Sequence, residues 1–306
     1  MYLEHYGLRA LPFTITPDTE FFMNRAGYQD ALNVLLVALR SGEGFIKVTG
    51  EVGVGKTLLC RKLLNSLKGE FTTAYIYNPY LEPDTLLFAL ADELDIEYEA
   101  TTNKHILQKN ITRRLLQNFE AGKRVVLCLD EVQAMPVRTL ETLRLLTNIE
   151  TEKRKLIQVV LFGQPELDIV IEQPSIRQLK QRITFTYELK PLNRTAVKAY
   201  IRHRLMIAGY KGRELFTNAA MECLHQASNG IPRLINILSH KAMLVAYGRG
   251  DPGIDVQHVR EAVKDSPEAK RPRWRQIISE PPQLLRWIYG AFGISAVIAV
   301  LIQSYS

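Results

Sequence analysis

The eight residues Gly50-Glu51-Val52-Gly53-Val54-Gly55-Lys56-Thr57 constrain this chain more than any other stretch, because they fit GxxxxGK[ST] in the context where that spelling carries chemistry. They follow an apolar, β-branched run, GFIKVT, and lead into LLCRKLL, whose leucines fall at helical spacing. Glycines let the backbone curl so that successive N–H groups face an anion at the positive end of a helix. The same letters in a plain glycine-rich turn would not need a strand before them and a helix after them. The spacing therefore puts the backbone of Gly50, Glu51, Val52, Gly53, Val54, Gly55, Lys56, Thr57 and Leu58 around a phosphate chain. Lys56 is placed to reach the β- and γ-phosphates and the Thr57 hydroxyl to bind Mg2+, so ATP and Mg2+ are the expected cofactors.

The rest of the chain reads as the sheet such a loop requires. The runs GFIKVTG, TAYIY, RVVLCLD, LIQVVLFG and ITFTYEL alternate with helical patterns near 56–68, 84–95, 104–119 and 137–150. VVLCLD and LIQVVLFG are apolar without alternation, as parallel strands buried on both faces are. The expected fold class is thus α/β, a doubly wound parallel sheet of five strands. Ahead of it, QDALNVLLVALRSG spaces Leu32, Leu35, Leu36 and Leu39 as an amphipathic helix stopped by Gly42. Residues 1–24, punctuated by aromatics and prolines, read as an irregular arm, and residues 25–190 as the main domain. After Pro191 the strands stop, and helical patterns near 194–208, 217–228, 231–247 and 255–264 predict a small helical lid domain over 191–264.

Further candidates lie at strand ends. Asp130-Glu131 closes RVVLCLD at the carboxyl edge, where parallel sheets bind ligands. Asp130 is expected to hold Mg2+ through water and Glu131 to polarise the attacking water as general base. Asn78 follows TAYIY and Gln164 follows LIQVVLFG. Each is placed either to touch the γ-phosphate or, standing before Pro79 and Pro165, simply to start a loop.

Charge narrows the partners. Residues 1–190 carry 23 basic and 24 acidic side chains, while 191–263 carry 10 and 5. The main domain is neutral and the excess is spread over helical surface, which argues against a nucleic-acid partner. Cys60, Cys128 and Cys223 form no CxxC pair and sit in apolar segments, as buried thiols of a reducing compartment do. MYLEHYGLRALPF lacks the basic and apolar regions of a secretory signal.

These motifs together resemble the AAA+ ATPases, and more narrowly the ExeA/GspA branch. The likeness rests on Tyr2-Leu3, Gly7-Leu8, Pro12-Phe13 and Thr16-Pro17-Asp18, on GEGFIKVTGEVGVGKTLLCRKLL, and on Asp130-Glu131-Val132-Gln133. Gly163-Gln164-Pro165-Glu166-Leu167 and Gly230-Ile231-Pro232-Arg233-Leu234-Ile235-Asn236 continue it in order, over roughly residues 1–265. Within the branch, the stretch 28–65 is similar to the ATPases of mannose-sensitive haemagglutinin type IV pilus systems. The resemblance implies a γ-phosphate sensor at Gln164, a second sensor at Arg233 at the start of a lid helix, and an arginine finger at Arg182, with Arg177 as its competitor. It also implies a nucleotide-dependent ring or partial ring of identical chains, and pilus or secretion assembly proteins of the inner membrane as partners. A rival reading is a DNA-associated ATPase of the transposition-helper type, disfavoured by the neutral main domain.

The C-terminal region adds a location. Residues 265–283 are rich in proline and charge and read as a linker. Trp287–Ile302 is uncharged over sixteen residues, and 284–302, with Arg286 snorkelling, reaches ~28 Å as a helix, close to the ~30 Å hydrocarbon core. A transmembrane helix is expected over 284–302. Lys264, Lys270, Arg271, Arg273, Arg275 and Arg286 precede the uncharged stretch Trp287–Ile302, so the ATPase is expected on the cytoplasmic side of a bacterial inner membrane.

Overall fold

The computed structural model describes residues 2–16, 21, 27–77, 80–99, 101–149 and 155–269. Five parallel strands form one sheet in the order β2-β3-β4-β1-β5. They are β1 (Phe45–Thr49), β2 (Phe71–Ile76), β3 (Arg124–Leu129), β4 (Ile157–Gly163) and β5 (Ile183–Glu188). β3, β4 and β1 are central and almost wholly buried, which is why their sequences are continuous apolar runs. β5 is an edge strand with exposed threonines, and one extra residue around Thr184 shifts its register against β1. The strand at TAYIY begins earlier than its apolar core, at Phe71, because Thr72 and Thr73 pair with Val125 and Val126 despite their polarity.

Period-2 alternation divides the strand residues between two cores. Ile46, Val48, Val126, Cys128, Val160 and Phe162 face α2 (Tyr28–Ser41) and α3 (Lys56–Leu67). Phe45, Val125, Leu127, Leu129, Val159 and Leu161 face α4 (Pro83–Glu93), α5 (Lys104–Glu120) and α6 (Val137–Leu146). α2 ends as its sequence predicts, with Gly42 in the left-handed region and its N–H on the Ala38 and Leu39 carbonyls. Two short helices that the sequence did not announce, α7 (Glu166–Ile171) and α8 (Arg177–Lys180), connect β4 to β5.

Beyond β5 the chain is helical: α9 (Arg194–Ile207), α10 (Asn218–Ser228), α11 (Pro232–Arg249) and α12 (Val256–Lys264). Asn193, Thr217 and Asp255 cap α9, α10 and α12 with side-chain oxygens, and Pro232 opens α11. The arm departs from the expected irregular run at its start: Tyr2–His5 form a helical turn, α1, against α11. Tyr2 Oη bonds His240 Nδ1 at 2.8 Å. Farther along, the buried Arg204 of α9 donates to the Pro12 carbonyl and to Thr14 Oγ1, and its guanidinium lies 4.4 Å from the Phe21 ring centroid. Asn236 of α11 donates to the Thr14 carbonyl at 2.9 Å. Tyr2, Tyr6, Phe13 and Phe21 of the arm thus join the same core as the lid helices and the α2/α3 face of the sheet.

One glycine fixes how α11 meets the strands. Gly230 has φ +74°, and a Cβ there would stand 2.0 Å from the Leu192 carbonyl oxygen, while its own carbonyl accepts from Leu192 N at 2.9 Å. Gly230→Ala combines left-handed strain with a backbone clash and is expected to lower stability by about 2 kcal/mol or more. Urea denaturation of the two forms measures it; an unchanged midpoint would show that the 228–232 turn relaxes freely.

Asn78 lies outside the described residues, as do 17–20 and 22–26 of the arm, 270–283 of the linker and the apolar segment 284–302. Among the described residues no helix is long and apolar enough to cross a membrane.

Candidate functional site

β1 is flanked by β4 and β5, so the loop that leaves it sits at the carboxyl edge one strand in from the side of the sheet. Gly50 N donates to the Gly163 carbonyl at 3.2 Å, joining the loop's start to the end of β4. Gly53 (φ +78°) and Gly55 (φ +106°) are left-handed, and a Cβ on Gly53 would lie 2.7 Å from Arg233 Cβ. The Gly55 side of the loop rests on the Tyr28 ring, whose hydroxyl donates to the Val54 carbonyl. Lys56 is buried, and its ammonium donates to the carbonyls of Gly50 (2.8 Å) and Glu51 (3.2 Å). Burial pulls its pKa below the ordinary lysine value, against the pull of Glu131 and Asp130. The first intrahelical bond of α3 is Leu59 N to the Gly55 carbonyl, which leaves the N–H groups of Lys56, Thr57 and Leu58 as the helix's unpaired donors.

The end of β3 supplies the acidic half. Asp130 N donates to the Ile76 carbonyl at 3.1 Å, holding the carboxylate beside α3. Asp130 Oδ2 accepts from Thr57 Oγ1 at 2.6 Å and from Tyr75 Oη at 3.4 Å, and Oδ1 from Glu131 N at 2.9 Å. Burial pushes the Asp130 carboxyl up, more than its hydrogen bonds with Thr57 and the Glu131 N–H pull it down. Glu131 adopts φ +54°, rare for a residue with a side chain. Its Oε2 accepts from Gln133 Nε2 (2.8 Å) and Gln164 Nε2 (2.9 Å). Burial would raise this carboxyl, but the two amides and the Lys56 charge outweigh it and hold it below the ordinary glutamate value.

The structure therefore brings Lys56, Thr57, Asp130, Glu131 and Gln164 together at one edge of the sheet. Arg233, at the start of α11, joins them through its backbone, with its N–H on the Gly53 carbonyl at 3.2 Å and its side chain exposed. Arg182 does not join them. It precedes β5, whose Ile183 pairs with Phe45 at the amino edge, and its guanidinium donates to Thr147 Oγ1 (3.1 Å) and the Arg144 carbonyl (3.3 Å) at the end of α6. Arg177 is exposed at the start of α8. Gln133 is the site residue that the sequence reading passed over. It was visible as the last letter of Asp130-Glu131-Val132-Gln133, with nothing in the spacing to say that its amide turns back onto Glu131.

A phosphate loop after β1, a carboxylate pair at the end of β3, one strand beyond β4, and an α/β sheet of this order make up a P-loop fold of the AAA type, and residues 39–171 match the family described as the AAA domain. The chain is 45% identical over 250 residues to the general secretion pathway protein A of Aeromonas hydrophila, a match that covers 82% of this chain. It spans about half the length of that relative, 46%. Solved structures share the fold at lower identity. The ORC2 protein of Aeropyrum pernix, in ADPNP–ADP complexes, has a TM-score of 0.60 at 17% identity, with 85% of this chain and 71% of that one covered. Cdc6p of Pyrobaculum aerophilum gives 0.62 at 18%, covering 82% and 71%, and the RuvB branch migration motor of Thermotoga maritima 0.55 at 17%, covering 83% and 73%.

This fold implies a bound nucleotide, and the residues present fit one. Gly53 and Gly55 let the loop turn at positive φ where a side chain would strike Arg233 and Tyr28, and the N–H groups of Lys56, Thr57 and Leu58 and the Lys56 ammonium supply donors for phosphate oxygens. Thr57 Oγ1 and the Asp130 carboxylate are hard oxygen ligands of the kind Mg2+ takes. Among the described residues no cluster of three or more His, Cys, Asp or Glu could hold a metal ion.

Proposed function

We propose that this chain is a membrane-anchored ATPase that couples ATP hydrolysis to the assembly of a type IV pilus or secretion machine. The observation that carries the enzymatic part is the placing of the Glu131 carboxylate on the same edge as Lys56 and the Thr57–Asp130 pair. In this reading the loop N–H groups and Lys56 bind the phosphates, Thr57 and Asp130 hold Mg2+, and Mg2+ when bound neutralises phosphate charge. Glu131 orients a water and takes its proton, and Gln164, whose amide already touches Glu131, contacts the terminal phosphate. Arg233 enters from the lid side. Arg182, at the other edge of its own sheet, serves the site of a neighbouring copy, which makes turnover depend on a ring or partial ring. Arg177 is the alternative finger.

The secretion pathway protein of Aeromonas hydrophila supports the cellular role, and the pilus subgroup rests on the likeness of residues 28–65. Mg-ATP turnover by the purified chain, compared with Glu131→Gln, tests the activity; equal rates would end the ATPase reading. Proteins that co-purify from detergent-solubilised membranes with the ATP-trapped Glu131→Gln form test the role. Pilus or secretion components are expected, and a set confined to DNA-binding proteins would favour the transposition-helper reading.

The anchor is tested separately. Removal of residues 284–306 is expected to shift the protein to the soluble fraction with its ATPase intact, because a proline-rich linker separates the apolar segment from α12. Carbonate-washed membranes read the result. A truncated form that still pellets, or a full chain that washes off, would rule out a spanning helix.

A further inference from the structure

We propose that Gln133 is a positioning residue for hydrolysis: its side-chain amide bridges the Glu131 carboxylate to the end of β4 and so fixes which carboxylate oxygen is offered for proton transfer. The inference rests on the reading of Glu131 as general base.

The orientation of the amide follows from its partners. Gln133 Oε1 lies 2.9 Å from the backbone nitrogen of Gln164, a group that can only donate. The oxygen of the amide must therefore face Gln164, which leaves Nε2 to donate to Glu131 Oε2 at 2.8 Å. Gln164 Nε2 donates to the same oxygen at 2.9 Å. With both amides on Oε2, Oε1 is the oxygen left to receive a proton.

Three local features keep this bridge in place. Gln133 sits in a 3-10 turn, Val132–Ala134, closed by Ala134 N on the Glu131 carbonyl (3.1 Å) and Met135 N on the Val132 carbonyl (3.0 Å), with Val132 buried beneath it. Glu131 itself is held at a positive φ that costs free energy unless its surroundings fix it, and the double hydrogen bond to its carboxylate does so. At the far end, Gly163 leaves the space the amide occupies: a Cβ there would come within 3.3 Å of Gln133 Oε1 and 2.6 Å of Leu167 Cδ2. The bridge thus joins the strand that carries the base to the strand that carries Gln164, and movement of either is felt by the other.

The test is kinetic and uses the full chain with Mg-ATP, comparing Gln133→Ala and Gln133→Glu alone and in the Glu131→Gln background. Gln133→Glu is the informative variant, because it keeps the acceptor for Gln164 N but sets a like charge against Glu131 in place of a donor. Both single variants are expected to lower kcat by about tenfold or more, as misplaced catalytic groups do. KM and equilibrium affinity for ATP should stay within about twofold, since the phosphate contacts are untouched. In the Glu131→Gln background neither should lower the residual single-turnover rate further, because Gln133 acts through that carboxylate. Gln133→Glu with unchanged kcat, a loss confined to KM, or a full additional loss in the Glu131→Gln background would each overturn the inference. Wild-type turnover no higher than that of Glu131→Gln would instead overturn the functional reading, and the inference with it.

Discussion

Glu131→Gln is expected to bind Mg-ATP as the parent does and to lose turnover by about 10²–10⁴-fold, the range that a positioned general base contributes. The substitution keeps the shape of the side chain and the loop around it, so the phosphate contacts of Lys56 and of the start of α3 survive, while the group that takes the proton does not. Lys56→Ala is expected to fail earlier, at binding. Its ammonium spans the loop to the Gly50 and Glu51 carbonyls, and its removal deletes the cation that the geometry sets among those carbonyls. Equilibrium binding and steady-state turnover on the two variants separate the steps. A Glu131→Gln protein that turns over at the parent rate would refute the general-base role, and a Lys56→Ala protein with full affinity would refute the phosphate role.

The second large effect concerns assembly. Arg182→Ala is expected to bind ATP normally but to lose the rise of specific activity with protein concentration, with turnover reduced by about 10³–10⁵-fold if it stabilises charge on a neighbour's phosphate. Mixing it with Lys56→Ala should restore activity, since one partner then supplies the finger and the other the intact site. Arg182→Lys controls for the loss of its bonds to the end of α6. If mixing restores nothing and Arg182→Ala retains its own activity, the finger is not Arg182, and the exposed Arg177 becomes the candidate.

How far the sequence could be read depended on whether a residue's role was local. The strands β3 and β4 were legible because burial on both faces leaves unbroken apolar runs, and α2 because Gly42 is needed where the chain turns left-handed. The phosphate loop was legible for the same reason: its glycines serve conformations that other residues adopt only at a cost. The start of β2 was not, since Thr72 and Thr73 are strand residues by virtue of their neighbour β3, not their own polarity. α7 and α8 were too short to show a period. The turning back of Gln133 onto Glu131 depends on where β4 ends in space, thirty-one residues further along. No spacing rule contains that. The turn at Tyr2–His5 was hidden likewise, because it takes its stability from α11.

That arm has a consequence for how the protein is made. Tyr2 and its partner His240 are 238 residues apart, and at ~5–20 residues per second a ribosome takes roughly 10–50 s to travel between them. Until α11 is made Tyr2, Tyr6 and Phe13 lack the helix that buries them, although from residue 188 onward the nascent chain holds all five strands and the phosphate loop. Docking of these aromatics on α11 must then follow the synthesis of α11, a long loop closure that brings distant parts of the polypeptide side by side. A cell that makes this protein has to shelter the aromatic Tyr2–Phe13 segment until α11 has been made.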